Sequence, residues 1–178
     1  MDDMKKVNRN YVFFLALMTA LASSLFLLEF LLPKPFPFMK IGLSNIIVLS
    51  LVLSSYYKEA LLVSVSKSFI GSFVTGTLFS PTFLLSFCGG VTSCIVMIVF
   101  SKVLRGVSVF GLSVIGAFVH LMSQLFLVRI LLIREDSIFS LYPFLALSAI
   151  VTGLFTGILC YLFMQHIEIG RLYEKACV

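Results

Sequence analysis

The sequence predicts an all-α protein, a polytopic membrane bundle of six transmembrane helices forming a single membrane domain over residues 1–178. Two observations predict it. The first is composition: 60% of the 178 residues are hydrophobic and 12% are charged, and mean hydropathy is +1.13. A soluble domain is roughly half apolar and a quarter charged, and a soluble chain of this size has too little interior to bury so much apolar surface. The second is pattern. The apolar residues form long runs without the polar alternation of a barrel strand. A segment in lipid must satisfy its backbone internally, so these runs are read as helices.

The first span is placed at 11–32, behind Lys5, Lys6 and Arg9. Ala20-Leu21-Ala22 resembles a signal-peptide cleavage site, but the apolar run continues for 22 residues from Tyr11. That length favours a retained helix over a cleaved signal. Pro33, Pro35 and Pro37 then break the helix within a loop over 33–40. The second span, 41–57, is short. The third, 59–79, begins after Lys58. Pro81 opens the fourth, 81–104, as helix-start chemistry allows. The fifth is 109–133, closed by the charged turn Arg134-Glu135-Asp136, and the sixth is 141–164, ahead of a short polar tail.

Charge sets the expected orientation. With the N-terminus in the cytoplasm, eight Lys and Arg residues lie on the inside and three on the outside, with Lys67 and Arg129 within spans. This is the positive-inside pattern for both termini in the cytoplasm and a multi-pass protein of the cell membrane. The net charge of +5 is explained the same way. Nucleic-acid binding would need a basic stripe outside the membrane, and the cations are scattered.

Catalytic chemistry finds few candidates. The nearest approach to a phosphate-binding loop runs from Gly71 to Gly76, but Thr77 stands where lysine is needed. The only aspartates are Asp2, Asp3 and Asp136, which supply no paired-carboxylate magnesium motif. The cysteines, Cys88, Cys94, Cys160 and Cys177, form no C-x-x-C pair. The expectation is therefore no catalytic residue, no metal site and no cofactor held by this chain.

Polar residues inside the spans carry the functional reading, because ionisable groups in lipid are costly and usually serve a purpose. Lys67 lies mid-span on a face with Ser64, Ser68, Gly71 and Thr75. His120 and Gln124 share one face of the fifth span, and Asn45 lies near the outer end of the second. Each also fits an internal hydrogen bond between helices. If Asn45, Lys67, His120 and Gln124 converge, they make a cavity with a cationic or neutral lining, suited to an anionic or amide-bearing ligand.

Ser86, Gly89, Gly90 and Ser93 form a small polar face, and Gly153 and Gly157 a small-x-x-x-small pair. Ala16, Ala20 and Ser24 recur every four residues, making a flat strip for packing inside the bundle or for docking a partner protein. Glu29 falls about 180° from this strip. It is expected to pair with Arg129 at similar depth, the alternative being that both reach for the interface.

The stretch from Pro37 to Ile47, the run from Lys67 to Gly76-Thr77, the Ser86–Ser93 face and His120 with Gln124 resemble the Gx transporter family, also labelled heptaprenyl diphosphate synthase component I. The resemblance covers nearly the whole membrane region. The third-helix cation often looks like arginine there; Lys67 keeps the charge without the bidentate geometry. That family in turn resembles the S-components of energy-coupling factor (ECF) transporters, six-helix proteins that capture vitamins and similar micronutrients.

The resemblance implies an S-component-like fold and a small-molecule substrate. It also implies a transmembrane scaffold docked through Ala16 and Ala20, and partner ATPases that hydrolyse ATP. The loop 33–40 would cover an outward-facing site. The older label implies a different role, as an accessory membrane subunit in polyprenyl diphosphate synthesis. A structural subunit of a membrane complex is a third reading.

Overall fold

The computed structural model describes residues 2–32, 42–104, 106–131 and 140–167, with side chains from residue 10 onward. The expected loop over 33–40, the turn at Arg134–Asp136 and the polar tail beyond residue 167 lie outside the described residues. The helices are α1 (Asp2–Leu31), α2 (Asn45–Leu53), α3 (Tyr57–Val74), α4 (Pro81–Val103), α5 (Val109–Leu131) and α6 (Tyr142–His166), with no strand among the described residues.

Four of them are long and apolar enough to cross a membrane: Asn10–Leu31 of α1, and α4, α5 and α6. The chain is a multi-pass membrane protein by this measure. The expectation of six spans needs correction at α3, which with Lys58, Glu59 and Lys67 is not among the four, and at α2. Its 9 residues reach only about 14 Å, half the thickness of a hydrocarbon core.

Local geometry explains why α2 is short. Gly42, at φ +85°, and the turn closed by Asn45 N–H on the Gly42 carbonyl at 2.8 Å set its start. At its end Ser55 adopts φ +66°. There the Ser55 amide bonds the Val52 carbonyl and the Tyr56 amide bonds that of Leu51, the paired closure of a Schellman motif. The same motif stops α3 at Val74 rather than Phe79. Gly76 sits at φ +69°, and the Gly76 and Thr77 amides bond the carbonyls of Phe73 and Ser72. Hydropathy continues past this point, but the backbone turns.

α2 is the centre of the bundle and touches all five other helices. Every residue from Ile46 to Val52 is buried, as expected of a helix apolar on all sides. Around it, α1 packs on α3, α3 on α4, α4 on α5 and α5 on α6. The α1 face toward this core is Phe14, Met18, Ala22 and Glu29, a stripe at helical spacing. Tyr11 donates to Glu59 Oε1 at 3.2 Å, tying α1 to the start of α3. Cys160 Sγ lies 3.7 Å from the Ile46 carbonyl, joining α6 to α2.

Candidate binding site at the N-terminal end of the central helix

The short α2 ends inside the bundle, so its first turn is a polar structure surrounded by helices. Lys67 reaches it from the middle of α3. The side chain is 2% exposed. Its ammonium donates to Asn45 Oδ1 at 2.6 Å and to Ser44 Oγ at 3.1 Å. A buried ammonium needs such oxygens to replace water.

Glu29 approaches the same turn from α1 and is 4% exposed. Its Oε1 accepts the Gly42 amide proton at 2.6 Å. The expected Glu29–Arg129 pair is therefore not what the structure forms. α1 lies on the α2–α3 side of the bundle and α5 packs on α4 and α6, so Glu29 meets backbone at the start of α2. Arg129 is half-buried near the end of α5.

His120 stands opposite. Gln124 Nε2 lies within hydrogen-bond distance of the His120 Nε2, at 3.1 Å. The imidazole lies against Gly89 of α4, where an added Cβ would come within 3.1–3.2 Å of three ring atoms. Gly89→Ala is therefore expected to turn the ring away from Gln124, at a cost of about 1 kcal/mol for the tighter fit. With 2 histidines in the chain, the displaced His120 ring signal is readable by NMR. An unshifted ring would show that α4 yields instead.

Two adjoining cavities result. The smaller, about 280 Å³, is lined by Glu29, Ser44, Lys67, Ser68 and Ser86 among others. The larger, about 420 Å³, is lined by Ser93, Ser113, Thr152 and Thr156 together with Leu49 and Met97. Gly42, Asn45 and His120 belong to both. Each is narrow, with unobstructed room for little more than a water molecule as it stands. A larger occupant requires side chains to move.

The structure thus brings Asn45, Lys67 and His120 to one place. Gln124 lines neither cavity and sits behind His120, where it fixes the ring. Glu29 and Ser44 join the site although neither was expected there. The hydroxyls of Thr152 and Thr156 also line it; their four-residue spacing on α6 is the signal that marks them. Ala16, Ala20 and Ser24 are exposed on the outside of α1, with Ser24 Oγ bonded to the Ala20 carbonyl at 2.8 Å. Among the described residues no three His, Cys, Asp or Glu side chains gather to hold a metal ion.

The family model for heptaprenyl diphosphate synthase component I matches residues 18–163. That stretch runs from the middle of α1 nearly to the end of α6, and leaves Ala16 just outside. No curated protein and no solved structure matches the chain. With the matched region holding the whole polar site, the chain belongs to the heptaprenyl diphosphate synthase component I family, also called the Gx transporter family.

Proposed function

We propose that the chain is the substrate-binding membrane component of an ECF-type importer, taking up a small micronutrient, a vitamin or cofactor precursor, with an anionic group. The observation that carries the reading is the cluster of Lys67, Ser44, Asn45 and His120 lining a cavity inside the bundle, with the Lys67 ammonium buried. A cation kept inside lipid is a costly feature best explained by a ligand. The chain itself binds no cofactor in this reading. ATP is hydrolysed by partner ATPases, the scaffold docks on α1, and both termini face the cytoplasm.

The exposed strip of Ala16, Ala20 and Ser24 supports the docking part, since small outward residues let a second helix approach closely. Ala16→Leu and Ala20→Leu are expected to abolish co-purification with a transmembrane scaffold. Thermal stability should hold, because both side chains already face outward. Undiminished co-purification would move the docking surface elsewhere.

Native mass spectrometry of the gently purified protein tests the binding role directly. A stoichiometric, water-soluble ligand whose retention falls in His120→Ala supports the reading. The family description favours a second reading, an accessory membrane subunit of polyprenyl diphosphate synthesis. A bound prenyl diphosphate in the same experiment would select it. A stable protein partner without any ligand would point to a structural subunit.

A further inference from the structure

The site holds two buried charges of opposite sign, and they are arranged around a single turn of backbone. Glu29 Oε1 takes the Gly42 amide proton at 2.6 Å. Lys67 Nζ gives a proton to Asn45 Oδ1 at 2.6 Å. Asn45 N–H returns to the Gly42 carbonyl at 2.8 Å, so the ends of this turn lie within about 7 Å of each other. Both charged side chains line the smaller cavity.

Glu29 is the informative member. A carboxylate has room for about four hydrogen bonds on its two oxygens, and among the described residues the Gly42 amide supplies one. A carboxylate that is 4% exposed and so sparsely bonded carries a desolvation cost that an incoming cationic donor would remove. Among the described residues, the adjoining larger cavity has no charged residue in its lining. It offers hydroxyls from Ser93, Ser113, Thr152 and Thr156 beside Leu49 and Met97.

We propose that this site takes a small zwitterion, its anionic group at Lys67, its ammonium at Glu29, and its uncharged body past Asn45 and His120 in the hydroxyl-lined cavity. The proposal rests on the binding-component reading above and narrows its substrate class. An anion without an amine would leave the Glu29 carboxylate facing it, and like charges in a buried site repel. A neutral molecule would offer the Glu29 carboxylate no cationic donor.

The test uses the full chain in lipid nanodiscs, dialysed against an equimolar mixture of α-, β- and γ-amino acids. Each is present in four forms: free, N-acetylated, as the amide, and with both ends capped. Retained compounds are quantified by mass spectrometry. Free zwitterions are expected to be enriched roughly ten-fold or more over every capped form, the usual weight of a charge-assisted hydrogen bond.

Two variants assign the charges. In Glu29→Gln the side-chain oxygen can still accept the Gly42 amide proton, so folding should persist, and the preference over N-acetyl forms should vanish. In Lys67→Met the preference over amide forms should vanish. Wild-type protein that retains N-acetyl or doubly capped forms as well as free ones overturns the zwitterion while leaving a binding component in place. Wild-type protein that retains no form at all overturns the proposal and removes its support from the binding reading as well. If Glu29→Gln fails to fold, the wild-type preference alone still decides.

Discussion

Adding one methyl group at Gly153 is expected to destabilise the bundle by about 2–3 kcal/mol, the upper range for overpacking a tight interior. A Cβ built there would lie 2.6 Å from Val114 Cα and 3.1 Å from its backbone nitrogen. Those atoms belong to the frame of α5 and cannot swing aside as a side-chain tip would. The two helices must separate, and the hydroxyl bond between Ser113 and Thr156, 2.8 Å long, stretches with them. Gly157, one turn along α6, is the control. Its added Cβ would meet Phe110 and Ser113 at 3.2–3.3 Å, a fit that small adjustments absorb for about 1 kcal/mol or less. Thermal unfolding in detergent micelles compares Gly153→Ala with Gly157→Ala. Equal losses would mean that α5 and α6 are not locked at Val114.

Lys67→Ala is expected to weaken ligand binding by roughly 10- to 100-fold, the equivalent of about 1.5–3 kcal/mol for a hydrogen bond to a charged group. The effect on folding should be smaller. Removing the ammonium relieves the cost of a buried charge, while Asn45 Oδ1 and Ser44 Oγ each lose a donor. These effects oppose one another, so stability should stay within about 2 kcal/mol of wild type. Whichever ligand native mass spectrometry identifies serves for the binding measurement, with thermal unfolding run alongside. Unchanged affinity in a folded Lys67→Ala protein would remove Lys67 from the site. Lys67→Arg is the companion variant: it restores charge, but a planar guanidinium must fit where a compact ammonium now bonds two oxygens.

The helical, lipid-embedded character of the chain was legible in its composition. So were the starts of α4 at Pro81 and α5 at Val109, because proline and polar breaks act locally. The division of α1 into two faces was also readable. Glu29 and the Ala16–Ala20–Ser24 strip lie on opposite sides at 100° per residue, and the structure buries the first and exposes the second. Polar residues within the apolar runs drew attention to Lys67, Asn45 and His120 because each is expensive in lipid. Spacing along one helix also joined His120 to Gln124.

What the sequence could not determine is which elements meet. Hydropathy cannot separate a helix buried in lipid from one buried in protein, since both surroundings are apolar, so α2 looked like a short span and is the central helix. It does not register the left-handed turns at Ser55 and Gly76 that close α2 and α3. Depth alone suggested Glu29 with Arg129, but a carboxylate bonds the donor that packing brings to it, and α2 brings the Gly42 amide. Composition and periodicity, which act through each residue's own helix, fixed the class of this protein. The site was decided by tertiary packing, because its charges and hydroxyls come from helices far apart in the chain.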